Sequence, residues 1–154
     1  MEFGVAGGGT IRQIAAAAAP RLVYGFDWWR GLPHDWDAGD RKGAFACARP
    51  DVPANVRLID GRFGVTLEPF LACHAERMAL VHIDSDLYCS CAYVLDTIGD
   101  RLGPGSLLIF DEIAQAPHDG ERLAFTRYLN RTKQSWEFLG KQHDWGEVWR
   151  CEDG

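Results

Sequence analysis

Three features are missing from this 154-residue sequence: a long apolar run, a run of basic residues and a CxxC pair of cysteines. The longest bland apolar stretch, IAAAAAP near the start, is too short to span a bilayer. It also lacks the basic flank and the cleavage pattern of a signal peptide. We therefore expect a soluble protein that has no membrane partner.

Positive charge is also scarce. The sequence has 16 lysines and arginines against 22 aspartates and glutamates, which gives a formal net charge of −6. Because this field repels nucleic acid and anionic membranes, we expect a small-molecule partner and no nucleic acid. Hydrophobic residues make up 47% of the chain and charged residues 25%, as in compact globular proteins. The length is that of one domain, so residues 1–154 are predicted to form a single domain.

The cysteines do not form a disulfide framework. Their number is odd, which favours a reducing compartment, and we expect a cytoplasmic protein. Cys73 with His74, and Cys89 with Cys91, could suggest zinc, but two separated pairs with ligand spacing are missing. We interpret the five cysteines as unligated thiols: Cys47, Cys73, Cys89, Cys91 and Cys151.

Apolar runs rich in β-branched residues alternate with turn and helix signals along the chain. The runs are MEFGV, RLVYGF, NVRLI, MALVHI, SLLIF and a final WEFLG…GEVWRC, in which HDWG is the expected hairpin turn. Helices are predicted over GGTIRQIAAAAA before Pro20, over DLYCSCAYVLDTIGDRL and over GERLAFTRYLNRT, whereas the polar stretch from about 34 to 55 is expected to be a loop. The pattern predicts a doubly wound, mostly parallel α/β sheet that closes with an antiparallel hairpin.

Chemistry-bearing residues follow five of these runs, where the strands are expected to end. They are Gly7 to Gly9, Asp27, Asp60, the pair Asp84 and Asp86, and the pair Asp111 and Glu112. Ligands of open α/β sheets bind beyond the carboxyl ends of the strands. The sequence therefore places a candidate site at that edge of the sheet.

The first of these loops, EFGVAGGGT, is typical of a backbone that approaches a ligand closely. It is not a complete dinucleotide-binding motif, because Arg12 stands where G-x-G-x-x-G has its last glycine. Asp27, about 20 residues further on, has the position to accept hydrogen bonds from both ribose hydroxyls. Trp28 or Trp29 could cover an adenine face or pack the sheet edge. Asp60 could bind the adenine amino group or face water.

The acids after the fourth and fifth runs are expected to converge if these strands are neighbours. Four carboxylates repel one another, and hard oxygen ligands without lysines are what magnesium, calcium or manganese require. The sequence therefore predicts a divalent-cation site. His82, on the strand before these acids, is expected to be a core histidine.

Taken in order, several segments resemble the macrocin O-methyltransferase family. They are EFGVAGGGTIRQIA, YGFDWWRGLP, NVRLIDGRFGVTLEPFL, HIDSDLY and IFDEI. The resemblance implies a class I methyltransferase fold that uses S-adenosylmethionine and a divalent cation, with magnesium expected. It implies donor contacts at Glu2, Gly4, Gly7, Gly8, Thr10, Asp27, Trp28, Asp60 and Gly61. It further implies Asp84, Asp111 and Glu112 as metal ligands and Asp86 as general base, although Asp84 and Asp86 can exchange roles.

The acceptor implied by the resemblance is a hydroxylated small molecule, such as a sugar or another secondary metabolite. Members of that family carry a helical segment before the first strand, whereas here EFGV follows Met1 at once. We therefore expect an incomplete cover and an apolar edge that could form a homo-oligomer contact. Three alternatives stay open: a donor-binding remnant or subunit, a phosphatase with a DxD motif, and a nicotinamide oxidoreductase.

Overall fold

The computed structural model describes residues 1–36, 39–114 and 119–152. One seven-stranded sheet with strand order β3-β2-β1-β4-β5-β7-β6 forms its centre. The strands are β1 Glu2–Phe3, β2 Val23–Asp27, β3 Val56–Asp60, β4 Leu80–Ile83, β5 Leu107–Phe110, β6 Trp136–Lys141 and β7 Glu147–Cys151. The helices are α1 Gly9–Ala18, α2 Phe63–Cys73, α3 Tyr88–Ile98 and α4 Gly120–Thr132.

Strand direction confirms the predicted fold class. Strands β1 to β5 pair in parallel, and β7 pairs antiparallel with both β5 and β6. The chain adds β2 and β3 on one side of β1 and then β4 and β5 on the other. The point between β1 and β4, where the order reverses, is where open α/β sheets bind ligands.

The central strands are apolar because helices cover both faces of a parallel sheet. Phe3, Phe26, Ile83 and Phe110 are all fully buried. The rings of Phe3 and Phe26 stack with centroids 5.0 Å apart, which joins β1 to β2 through side chains as well as backbone. Burial of each such side chain stabilises the fold by about 1.5 to 3 kcal/mol.

Helix α2 was not among the helices predicted from the sequence. It contains Pro69, which removes one backbone donor, and it has few strong helix formers. Leu67 and Leu71, four residues apart, are buried on one face of this helix. Tertiary packing therefore stabilises a segment whose local sequence favours helix only weakly.

The segment between β2 and β3 contains no helix or strand in its described part, residues 28–36 and 39–55, as the polar composition predicted. No described helix is long and apolar enough to cross a membrane. Cys47, Cys73 and Cys89 are exposed, whereas Cys91 and Cys151 are buried.

Candidate functional site

Gly4 lies at the point where β1 and β4 come closest. Its φ is +89°, and a Cβ atom here would lie 1.7 Å from the backbone oxygen of Asp84. Strands β1 and β4 stay in register beside it, since the Asp84 N–H donates to the Phe3 carbonyl at 2.9 Å. Only glycine fits this position, so the first glycine of the loop sets the contact between the two halves of the site.

Asp27, at the end of β2, shapes the glycine loop. Its Oδ2 accepts the backbone N–H groups of Val5 at 2.8 Å and Ala6 at 2.7 Å, and its Oδ1 accepts that of Trp29 at 2.8 Å. A carboxylate has about four acceptor positions. The backbone therefore leaves room on Oδ1 for one ribose hydroxyl, whereas the sequence suggested contact with both.

Arg12 joins the glycine loop to the loop before β3. Its guanidinium donates to the carbonyls of Gly7 at 3.0 Å, Gly8 at 2.8 Å and Asp51 at 2.7 Å. Gly8 begins α1 in the left-handed conformation, and a Cβ atom there would lie 3.1 Å from the Pro50 ring. The arginine that interrupts the dinucleotide-binding motif thus holds this turn by hydrogen bonds.

A cavity of about 620 Å³ lies at the carboxyl ends of the strands. The structure places seven of the predicted site residues on its wall: Gly4, Asp27, Trp28, Gly61, Asp84, Asp86 and Glu112. Six others do not line it: Glu2, Gly7, Gly8, Thr10, Asp60 and Asp111. One cavity therefore brings four of the nine residues predicted for the donor together with three of the four predicted acids.

The two neighbouring tryptophans have different environments. Trp28 lines the cavity, and the guanidinium carbon of Arg62 lies 4.1 Å from its ring centroid. Trp29 is only 8% exposed, and its indole N–H donates to the Ala6 carbonyl at 3.1 Å. Trp29 is thus a core residue, and Trp28 is the one available to a ligand. Asp60, which pairs in register with Asp27, is exposed at the end of β3.

Three carboxyl groups form the acidic wall of the cavity. Burial, followed by the charges of Asp111 and Asp86, raises the pKa of Asp84 to about 8. Burial and the charges of Asp86 and Asp111 raise the pKa of Glu112 to about 7. Burial, with the charge of Asp111 next, raises the pKa of Asp86 to about 6. Negative charge on this wall is costly, and a bound cation would reduce that cost.

Asp111, the fourth predicted acid, lies between two histidines. Its Oδ1 is 3.2 Å from His143 Nε2 and 3.8 Å from His82 Nε2. The nearby His82 ring, together with the hydrogen bond to His143, lowers the pKa of Asp111 despite its partial burial. Among residues 1–36, 39–114 and 119–152, no group of three or more His, Cys, Asp or Glu side chains is gathered as a metal cage.

His82 and Glu2 form a buried pair beneath the cavity. His82 Nδ1 lies 3.1 Å from Glu2 Oε1, and each residue is 1% exposed. Although burial disfavours the charged ring, the nearby Asp111 carboxylate and the hydrogen bond to Glu2 raise the pKa of His82 to about 9. The expectation of a core histidine agrees with this position. One carboxylate oxygen of Glu2 faces His82, and the donor contact that the resemblance implies for Glu2 stays a prediction.

Sequence reasoning missed His143 and Glu121 as residues of the site. His143 comes from the hairpin turn between β6 and β7, and Glu121 from the first turn of α4. Glu121 is 2% exposed and accepts the Glu112 N–H at 3.1 Å, and burial raises its pKa to about 8. No spacing signal in the sequence connects either residue to the acids, because tertiary packing brings them together.

Comparison with known proteins places the chain in a family. Residues 1–113 match the model of a family described as a methyltransferase domain. The chain belongs to this methyltransferase family. No curated protein matches the sequence.

Solved structures of methyltransferases are similar to this chain. The calicheamicin methyltransferase CalS11 is 26% identical, with a TM-score of 0.77, over 97% of this chain and 70% of that one. The O-methyltransferase NovP is 24% identical, with a TM-score of 0.74, over 98% and 70%. An O-methyltransferase from Bacillus cereus, in complex with SAH, is 14% identical, with a TM-score of 0.60, over 99% and 72%. The similarity to NovP and to the Bacillus cereus enzyme shows a shared fold alone.

Proposed function

We propose that this methyltransferase binds S-adenosylmethionine in the cavity and transfers the methyl group to a hydroxyl oxygen of a small molecule. The observation that carries the proposal is the cavity of about 620 Å³, whose wall contains both residues predicted for the donor and a group of carboxylates. This volume is in the range of small-molecule sites. The family match and the O-methyltransferases of the same fold support this reaction class.

The cavity fits the donor at its β1–β2 side. Asp27 Oδ1 keeps acceptor capacity for a ribose hydroxyl, and the ring of Trp28 offers an aromatic surface to adenine. Gly61, with a φ of +143°, follows β3 and donates its N–H to the Asp27 carbonyl at 2.9 Å. A Cβ atom at Gly61 would lie 2.7 Å from the Thr66 methyl group, and glycine avoids this contact. These residues form a compact rim around one end of the cavity.

The reaction needs alignment and removal of one proton, because the sulfonium methyl is already activated. We assign the proton acceptor to Asp86, which lines the cavity and has a φ of +57°. A non-glycine residue in this left-handed region is strained, and such strain concentrates at functional sites. Asp84 lines the same cavity as Asp86. Whichever of these two acids faces the acceptor hydroxyl accepts its proton.

A divalent cation, with magnesium as the expected ion, belongs to the same proposal. Asp84 and Glu112 supply hard oxygen donors on the wall, and Asp111 lies behind them with its two histidines. These oxygens fit such an ion in chemistry, although their side chains are not gathered into a cage. When bound, the ion would hold the acceptor hydroxyl and lower its pKa.

A sugar or a similar hydroxylated compound is the acceptor that we propose. The structure of CalS11 without ligand is described as that of a TDP-rhamnose 3'-O-methyltransferase, and it is 25% identical over 97% of this chain. At the mouth of the cavity here, the rings of Trp36 and Phe45 lie 6.4 Å apart, edge to face. Such aromatic faces suit the C–H surface of a sugar ring.

The test is a transfer assay with the purified chain, S-adenosylmethionine and a panel of hydroxylated sugars and nucleotide sugars. Formation of S-adenosylhomocysteine would be measured by mass spectrometry, with magnesium and with EDTA. We expect acceptor-dependent product that requires the cation and is lost in Asp86→Asn. Donor binding without transfer to any acceptor would contradict transferase activity and favour a donor-binding subunit.

A further inference from the structure

Glu121 is a buried acid that the proposed methyl transfer does not use directly. It lies in the first turn of α4, is 2% exposed and does not line the cavity. An acid in a first turn commonly stabilises its helix through the helix dipole. That role does not require burial, because a solvated carboxylate can perform it. The burial of Glu121 therefore needs a second explanation.

The partners of Glu121 supply that explanation. Its Oε2 accepts the backbone N–H of Glu112 at 3.1 Å, and the backbone of Ser85 lies near the same carboxyl. Ser85 stands between Asp84 and Asp86 on the loop after β4, whereas Glu112 belongs to the loop after β5. The Glu121 carboxyl thus lies between the two acid-bearing loops, hydrogen-bonded to the loop of Glu112 and near the backbone of the other.

The start of α4 packs tightly on the same turn. A Cβ atom at Gly120 would lie 3.0 Å from the backbone nitrogen of Tyr88 and 3.4 Å from the carbonyl oxygen of Asp86. A side chain at position 120 would therefore crowd this turn. This contact holds the Glu121 carboxyl against the two loops.

We propose that Glu121 is a positioning residue that fixes the spacing between the loop of Asp84 and Asp86 and the loop of Glu112. This inference rests on the proposed function for its catalytic consequence. Its structural content, a bridge between two backbone segments, holds apart from that function. The bridge needs an acceptor oxygen at the end of a side chain of this length.

Two substitutions separate this role from general stability. Glu121→Gln keeps an acceptor oxygen and the side-chain length, whereas Glu121→Met keeps the length and removes the acceptor. Glu147→Gln is the matched control. Glu147 is also buried, at 7% exposed, but its carboxyl pairs with the side chains of Arg122 on α4 and Trp149 on β7 and not with the backbone of either loop.

The first measurement is hydrogen–deuterium exchange of the ligand-free protein, which depends on neither donor nor metal. We expect Glu121→Met to accelerate exchange at Glu112 at least about 10-fold relative to the amides of Val5 and Ala6 in the glycine loop. Glu121→Gln and Glu147→Gln should leave the Glu112 amide close to wild type. Uniform acceleration throughout the protein, or no acceleration at Glu112, would overturn the bridge.

The second measurement is Mn²⁺ binding and turnover of the same variants. We expect Glu121→Met to weaken Mn²⁺ binding or lower kcat about 10-fold, to leave KM for the donor within about 2-fold, and to be rescued in Glu121→Gln. Unchanged values in Glu121→Met would overturn the catalytic consequence. If the wild-type protein shows neither binding nor turnover, the proposed function fails, and the exchange data still decide the bridge.

Discussion

Asp27 Oδ2 lies 2.7 Å from the backbone nitrogen of Ala6 and accepts its hydrogen bond. This contact joins the carboxyl end of β2 to the glycine loop after β1. The same carboxylate lines the cavity that we propose for the donor. Asp27 therefore shapes the glycine loop in the ligand-free protein. This structural role and the proposed role in donor binding can be tested separately.

Replacing Asp27 by alanine should destabilise the ligand-free protein and weaken donor binding. A hydrogen bond to a charged group contributes about 1.5 to 3 kcal/mol, and we expect losses of this order in the free energy of unfolding and in binding. Urea denaturation followed by tryptophan fluorescence and calorimetric titration with S-adenosylmethionine measure the two effects. The exposed Asp60→Ala is the control for stability and should change it by less than about 0.5 kcal/mol. Wild-type stability in Asp27→Ala would contradict the loop-shaping role.

Two glycines of the same loop should respond very differently to alanine. At Gly4 the new Cβ would lie 1.7 Å from the Asp84 carbonyl oxygen, whereas at Gly7 nothing lies within 4 Å. We expect Gly4→Ala to lose about 4 kcal/mol or more, or to fail to fold, because a backbone clash cannot be relieved by a rotamer change. Gly7→Ala should melt close to the wild-type temperature. Equal melting temperatures for the two variants would contradict the close approach of β1 and β4.

Asp84→Asn should abolish magnesium-dependent turnover while leaving donor binding mostly intact. The carboxylate lies on the acidic wall of the cavity, and Trp28 and Asp27 line the same cavity on the donor side. Initial rates at varied magnesium and donor titration in its absence separate the two effects. Unchanged turnover in Asp84→Asn would contradict the assignment of Asp84 as a metal ligand. A loss of donor binding as large as that in Asp27→Ala would contradict the division of the cavity into a donor side and an acidic wall.

The buried carboxyl of Glu121 should make stability depend on pH. Its pKa is raised from 4.5 to about 8 by burial, so the folded protein holds this proton more tightly than the unfolded chain does. Stability is therefore lost as pH rises from about 4.5 to 8. Glu121→Gln removes this titration, so the difference in unfolding free energy between pH 5 and pH 8 should be smaller in this variant. Urea denaturation in EDTA at both pH values measures it, and identical pH dependence in the two proteins would contradict the protonated state.

The strands and the edge of the sheet that holds the site were predictable because their signals are local. Acidic residues follow apolar runs in the sequence, and the structure places such residues at strand ends. Asp27, for example, is the last residue of β2. The cavity then follows from the general position of ligands in open α/β sheets. Helix α2 was harder to predict from the sequence, because tertiary packing of Leu67 and Leu71, rather than local propensity, stabilises it.

The contacts within the site were less predictable, since they depend on how side chains pack. Neighbouring tryptophans are equivalent in sequence, yet Trp29 is buried and Trp28 lines the cavity. Asp111 belonged to the predicted acid set, but its contact with His143 joins residues 32 positions apart through the β6–β7 turn. The specific macrocin resemblance, the cation and the acceptor stay predictions.

The most direct test of the central claim is calorimetric titration of the purified, folded chain with S-adenosylmethionine, with and without magnesium. Trp28→Ala serves as the control variant, because Trp28 lines the cavity and lies outside the buried core. The account predicts micromolar binding by the wild-type chain and clearly weaker binding by the variant. Absence of binding in a folded wild-type sample, or equal binding by Trp28→Ala, would contradict the assignment of this cavity to the donor.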